Sequence, residues 1–370
     1  MNNDIHEVPL IFLGLGNIGG TLLRQILETR ATVAERTGLR LVPVAVADVS
    51  GLLYAADGLP EATLTAALGA TRDGGTLAAL PGVRPLSELP SVLRPGAILA
   101  DLTASPKTAP TLRAALDAGC GVVLANKIPL AGPWSEAAPL MMHPHLRYEV
   151  TVGAGLPVIE TEHYLRDTGD AITLIEGCVS GTLGYLCAEL ERGVPYSQAV
   201  AQARALGYTE PDPRDDLSGK DVARKALILA RTAGWPLEEH HLTVEPLYSE
   251  ALAGLSIEAF MAATPTLDAT YAARVAAAQA QGNVLRYVAR VTPEGGTVGL
   301  TAVERDGPLG ALRGPGNYIA LYTTRYQPLP LAISGPGAGR EVTAAGVLGD
   351  ILKLARQMPL GSPSKFYQQI

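Results

Sequence analysis

From residue 9 onward, short runs of wholly apolar residues alternate with longer stretches in which apolar residues recur every three or four positions. The first kind reads as buried strand and the second as amphipathic helix, and their alternation is the sequence form of a parallel α/β sheet. Strands are expected at 10–13, 41–47, 97–102, 121–124 and 147–152, with helices at 18–36 and 108–118. The second helix runs into Gly119, a residue suited to the left-handed position that ends a helix.

After Gly153 the pattern changes to an Ala-rich mixture of helices with strands expected at 172–179, 284–291, 297–303, 318–324 and 329–333. The last four follow one another with no helix between them, which points to antiparallel or mixed pairing in a second, α+β domain. Gly295-Gly296 is the expected hairpin turn. A final helix is expected at 343–356, after the run Gly335-Pro336-Gly337-Ala338-Gly339.

Composition narrows the function more than the fold. The 370 residues carry a formal charge of −7 and no basic run, so neither a phosphate backbone nor an anionic membrane surface is an expected partner. No apolar stretch approaches the ~18 residues that would cross a bilayer, and the first residues lack the basic region of a secretory signal. Cys120, Cys178 and Cys187 are too few for a disulfide framework, so a cytoplasmic location is expected. The basic residues are 23 Arg and only 6 Lys. Positions that kept Lys therefore stand out, although chance scatter accounts for any single one equally well.

Gly14-Leu15-Gly16-Asn17-Ile18-Gly19 is a G-x-G-x-x-G between a strand and a helix. Glycines there let the backbone turn tightly and approach a pyrophosphate, whose charge suits the N–H groups at the helix start. Asp48 ends the next strand, where a carboxylate accepts hydrogen bonds from a ribose and repels a 2′-phosphate. No Arg or Lys follows it until Arg72, so NAD is expected to serve at least as well as NADP. The alternative for Asp48 is a solvated turn residue.

Two further strands end in Asp101-Leu102-Thr103 and Ala125-Asn126-Lys127. Ligands of open parallel sheets gather at these carboxyl ends, so Thr103 and Lys127 are expected to face the nicotinamide end of a cofactor. A solvated loop cation is the other reading of Lys127. The densest constellation is the run from Gly207-Tyr208-Thr209-Glu210 through Pro213 to Asp221 and Lys225. Its prolines argue against a helix before Ser218, which is placed to cap the next one, with Asp221 and Lys225 four apart on a shared face. Spacing alone leaves two readings of that pair: a surface ion pair, or a carboxylate orienting an ammonium that protonates a carbonyl oxygen.

The blocks 207–225, 101–103, 126–127, 148–157, 176–184 and 335–349 together resemble the homoserine dehydrogenase family. They run in order along nearly the whole chain, and Gly-Tyr-Thr-Glu-Pro-Asp-Pro-Arg-Asp-Asp-Leu is the most specific of them. The resemblance implies a Rossmann-type dinucleotide-binding domain at 1–147, completed by 338–370, and an α+β catalytic and dimerisation domain with a mixed sheet at 148–337. It implies reversible NAD(P)H-dependent reduction of L-aspartate 4-semialdehyde to L-homoserine, on the route to threonine, methionine and isoleucine. By the same resemblance Lys225 is the proton donor, Asp221 contacts the reacting side, and Lys127 is a second cation there. Glu210 holds the substrate ammonium, while Tyr208, Gly181 and Thr182 complete the pocket. Gly207 and Gly339 join Gly14, Gly16, Asn17, Ile18, Gly19, Asp48, Thr103 and Lys127 as cofactor contacts. A structural monovalent cation, sodium in most relatives, is implied on the main-chain carbonyls of Glu149, Val152, Ala154 and Leu156. A homodimer or higher homo-oligomer is implied as well, in a chain with room for neither the fused aspartate kinase nor the regulatory domain of many relatives.

Two rivals remain at this stage. A thioester-forming semialdehyde enzyme needs a cysteine thiolate at a strand end, and none of the three cysteines is well placed. A non-catalytic dinucleotide sensor is opposed by the presence of Lys127, Glu210, Asp221 and Lys225 together.

Overall fold

The computed structural model describes residues 5–358, so the expected C-terminal extension to 370, with Lys365, lies partly outside the described residues. Two compact units emerge. One runs to Gly155 and resumes at Gly339, and the other is Leu156–Ala338.

The first unit contains β1 (His6–Leu13), β2 (Leu39–Asp48), β3 (Gly51–Tyr54), β4 (Ile98–Asp101), β5 (Gly121–Leu124) and β6 (Leu146–Arg147) in the order β3-β2-β1-β4-β5-β6. All neighbours are parallel except β2 and β3. The central strands read as unbroken apolar runs because helices cover both faces, leaving Ile11, Phe12, Ile98, Leu99, Val122 and Val123 with no exposed surface. The antiparallel edge was not expected. It arises because Oδ1 of Asp48 accepts the Ser50 backbone N–H at 2.7 Å and its hydroxyl at 2.6 Å, which folds the chain straight back into β3. The strand expected at 147–152 is cut to two residues, since the backbone turns into a 3-10 helix at Glu149–Thr151. The helix Arg340–Gln357 returns to this unit, burying Val347, Ile351 and Leu354 in its core.

The second unit holds β7 (Ile172–Cys178), β8 (Leu242–Val244), β9 (Asn283–Thr292), β10 (Gly295–Glu304), β11 (Gly316–Thr323) and β12 (Leu331–Pro336). Their order is β12-β11-β7-β9-β10-β8, and only the β10–β8 pair is parallel, giving a mixed sheet. Ile175, Gly177 and Val179 face Ala226 and Leu229 of the helix Lys220–Thr232 across an apolar seam.

Three local expectations need correction. The β9–β10 turn is Pro293-Glu294, and Gly295 opens β10 opposite Thr292. Its φ of +136° and the His241 carbonyl, 2.6 Å from where a Cβ would stand, explain the glycine. The last strand begins at Leu331 rather than 329, because Pro328 and Pro330 have no N–H to give the ladder. Pro213–Leu217 is helical: proline suits the first helical position, and Asp212 caps the turn by accepting the Arg214 N–H at 3.0 Å. Ser218 consequently ends that short helix, and Gly219, at φ +71°, begins the next.

Candidate active site

In the first unit each glycine of the G-x-G-x-x-G has its own role. A Cβ on Gly19 would stand 2.1 Å from the Gly14 carbonyl oxygen, so only glycine lets the helix Asn17–Thr37 meet the turn. Gly14, at φ +100°, lies close under Thr103 and the Leu102 carbonyl. A Cβ on Gly16 would meet nothing within 4 Å, which leaves the exposed side of the loop open to a ligand. No side chain caps this helix and no acidic residue occupies its first turn, so its leading N–H groups suit an anion. Asn17 is exposed and Ile18 half-buried at that end. Asp48 is held rigidly: besides Ser50, its Oδ2 accepts the Leu77 N–H at 2.8 Å.

Thr103 and Lys127 sit in the loops after β4 and β5, and a buried polar network ties those loops together. Oδ1 of Asp101 accepts the Thr103 N–H at 3.1 Å and its hydroxyl at 2.7 Å. The Asn126 amide donates to Asp101 Oδ2 at 3.1 Å and to the Ser105 carbonyl at 2.8 Å, and its oxygen accepts the Ile128 N–H at 3.1 Å. Gly339, at φ +138°, precedes the returning helix, whose Glu341 pairs with Arg24 of the first helix. In the loop after β6, Ala154 is the one non-glycine residue among the described residues with positive φ, +55°. The buried Glu149 donates its N–H to Asp350 Oδ2 at 2.9 Å. Burial pushes the Asp350 carboxyl up to about 7. Val152 is fully buried, and Leu156 opens the second unit.

In the second unit Lys225 projects from the helix Lys220–Thr232, one turn beyond Asp221. Its ammonium donates to the Val179 carbonyl at 2.7 Å and lies 2.8 Å from Asp221 Oδ2. The Lys225 side chain is only 12% exposed against 42% for Asp221, so the pair is no ordinary surface bridge. An ammonium has three N–H bonds, and these two acceptors leave one for a ligand oxygen.

The segment carrying Glu210 is fixed from both ends. Gly207, at φ +71°, ends the helix Tyr196–Ala205, its N–H bonding Arg204 and that of Tyr208 bonding Ala203 in a Schellman arrangement. The Thr182 hydroxyl donates to the Tyr208 carbonyl at 2.6 Å and lies 3.1 Å from Asp216 Oδ1. Oδ2 of Asp216 accepts the Glu210 N–H at 2.8 Å. Burial raises the Asp216 carboxyl above its ordinary range, an effect these donors partly offset. The Glu210 side chain is left exposed beside Tyr208, whose ring lies 5.0 Å from that of Tyr185. Gly181 starts the helix Gly181–Glu191, which Ser180 caps by accepting the Leu183 N–H at 3.2 Å. Sequence reasoning assigned no part to Asp216, Ser180 or the Val179 carbonyl. The paired Asp215-Asp216 was the only available signal.

The three cysteines are buried, and burial pushes the Cys178 and Cys187 thiols up to about 12 and about 11. Burial raises the Cys120 thiol as well, so none of the three is set up as a thiolate nucleophile, which argues against the thioester rival.

Comparison with known proteins finds matches along most of the chain. Residues 14–139 match the family described as homoserine dehydrogenase, NAD binding domain, and residues 157–352 match homoserine dehydrogenase. The chain is 39% identical over 360 residues to bifunctional aspartokinase/homoserine dehydrogenase 2 of Zea mays, which covers 95% of the chain and 39% of that protein. It thus spans about two fifths of the length of such relatives. Identity is 42% over 284 residues to homoserine dehydrogenase of Paracoccidioides brasiliensis, covering 71% of the chain and 75% of that protein. Among solved structures, a hyperthermophilic archaeal homoserine dehydrogenase mutant in complex with NADPH superimposes with a TM-score of 0.75 at 25% identity, over 96% of this chain and 99% of that one.

Proposed function

The chain belongs to the homoserine dehydrogenase family, and from that premise we propose that it catalyses the reversible NAD(P)H-dependent reduction of L-aspartate 4-semialdehyde to L-homoserine, feeding threonine, methionine and isoleucine synthesis. The observation that carries this reading is the Lys225 ammonium, held between the Asp221 carboxylate and the Val179 carbonyl with one N–H to spare.

The substrate is a zwitterion bearing an aldehyde, and the second unit offers a group for each need. Glu210 holds the ammonium, Thr182 and Gly181 lie at the start of a helix suited to the carboxylate, and Lys225 serves the carbonyl. Tyr208 walls the pocket. In the first unit the open face of Gly16, the uncapped helix behind Asn17 and Ile18, Thr103, Lys127 and Gly339 receive the cofactor. Bound there, NAD(P)H supplies a hydride to the aldehyde carbon. As the C=O π bond opens, Lys225 delivers its proton to the oxygen, and Asp221 keeps the ammonium oriented. In the oxidative direction the neutral amine of Lys225 takes the hydroxyl proton.

Asp48 presents a fixed carboxylate with no cationic neighbour in sequence, which supports NAD serving at least as well as NADP. The family resemblance implies a structural sodium on the main-chain carbonyls of Glu149, Val152, Ala154 and Leu156. The positive φ at Ala154 supports that role, since it turns a carbonyl out of the usual chain direction. The unpaired outer edge of β12 supports a homodimer formed through the second unit. Free, buried thiols favour the cytoplasm. No helix of the described residues is long and apolar enough to cross a membrane.

The test is direct: NADH and NADPH oxidation followed with aspartate semialdehyde. Oxidation that depends on the semialdehyde, without phosphate or arsenate, is expected. Cofactor binding with no turnover would favour the sensor instead.

A further inference from the structure

Asp101 has no exposed surface, and every hydrogen bond its carboxylate accepts comes from a neutral donor. Burying a charge in this way is costly, and joining two loops does not require it, because apolar side chains of similar volume would hold them as well. What a carboxylate adds is orientation. Its partners decide which atoms of Thr103 and Asn126 point where.

The pattern has a single consistent assignment of protons. Thr103 commits its hydroxyl proton to Asp101 Oδ1 at 2.7 Å, and its oxygen accepts the Ser105 N–H at 3.2 Å. The Asn126 amide also donates to that oxygen, at 3.4 Å, so the hydroxyl is held as an acceptor whose direction Asp101 and Asn126 set together. Asn126, 2% exposed, must turn its NH2 group toward Asp101, the Ser105 carbonyl and Thr108 Oγ1, since the flipped amide would set oxygen against carboxylate. Its own oxygen then takes the Ile128 N–H at 3.1 Å, bridging over Lys127 and fixing the backbone on which that side chain is mounted.

We propose that Asp101 and Asn126 are a positioning pair that sets cofactor affinity by orienting the Thr103 hydroxyl and the Lys127 backbone. Neither need touch the cofactor. The proposal rests on the cofactor reading of Thr103 and Lys127 given above.

The experiment compares Asp101→Asn, Asn126→Asp and Lys127→Ala with the unaltered chain by fluorescence titration of NADH and NADPH between about pH 5.5 and pH 8.5 as probe conditions, because burial and a like charge together raise one carboxyl of a pair strongly. Asn126→Asp sets a second carboxylate against Asp101. Its cofactor affinity should fall about tenfold or more at high pH, the scale of losing a hydrogen bond to a charged group, and recover as the pair takes up a proton at low pH. Asp101→Asn keeps the shape and loses the charge, so a loss of about threefold to tenfold without pH dependence is expected. A merely structural role would lower thermal stability in both variants but would not produce a pH-dependent dissociation constant in one of them alone. Should Asn126→Asp fail to fold, Asp101→Asn carries the test: affinity lost with the melting temperature unchanged supports the positioning role, and stability lost with affinity unchanged refutes it. If both variants bind within about twofold of the unaltered chain at every pH while Lys127→Ala loses binding, the positioning pair is refuted and the cofactor reading stands. If Lys127→Ala also binds normally, the cofactor reading itself has failed.

Discussion

The two units solve the problem of holding a charged ligand by opposite means. In the first, the candidate cofactor surface is backbone: three glycines, the leading N–H groups of a helix, and loops clamped by the neutral donors around Asp101. In the second, the candidate substrate surface is built from charged side chains drawn from a short stretch, Glu210 to Lys225, and from the acceptors that orient them. Backbone recognition tolerates few substitutions because a single Cβ fills the ligand's place or displaces the turn. Side-chain recognition instead concentrates the chemistry in individual groups, each removable with the fold intact.

Substitutions should separate the two modes, beginning with the largest effect. Lys225→Ala is expected to lower kcat by roughly 100-fold or more, the usual scale for a general acid, with cofactor affinity near normal. Steady-state turnover alongside NADH fluorescence reads both. Gly19→Ala must move the Gly14 carbonyl away from a Cβ that would lie 2.1 Å off, so cofactor affinity should fall about tenfold, with about 1–3 kcal/mol of stability lost to overpacking. Calorimetry of the variant checks both figures. Glu210→Ala should raise KM for the semialdehyde by about tenfold, the scale of a lost charged hydrogen bond, and leave NADH binding alone. A loss confined to the cofactor would contradict its assignment.

The smallest effect concerns pH. Burial holds Asp216 above the ordinary 3.8, so the folded chain binds that proton more tightly than the unfolded chain does. Its contribution to stability is therefore present at the acid end and is lost as pH rises from 3.8 through the raised value. Asp216→Asn should flatten that decline in denaturant titrations run upward from the ordinary carboxyl range. It should also remove part of the acid limb of kcat/KM, where protonation weakens Asp216 as acceptor for the Glu210 N–H.

How much of this could be read in the sequence follows the same division. The strand–glycine–helix start, the β4 and β5 loops and the Asp221–Lys225 spacing are local patterns, and they are visible in the residues themselves. The antiparallel β3 was hidden because it depends on one aspartate turning the chain within two residues. The helix at Pro213–Leu217 was hidden because Pro211 and Pro213 read as barriers when Pro213 itself starts it. Asp216 bonds a backbone group six residues away and a threonine 34 residues away, contacts that no sequence pattern encodes. The carbonyl of Val179 could not have been found at all, since a main-chain acceptor leaves no trace in side-chain identity.

The central claim is that the amine at position 225 carries the proton to the substrate oxygen. Its most direct test is chemical rescue of Lys225→Ala with small primary amines of graded basicity. Turnover restored by added amine, with a rate that depends on the amine's pKa, is the predicted result. A variant that turns over at the unaltered rate with no amine present would contradict the account.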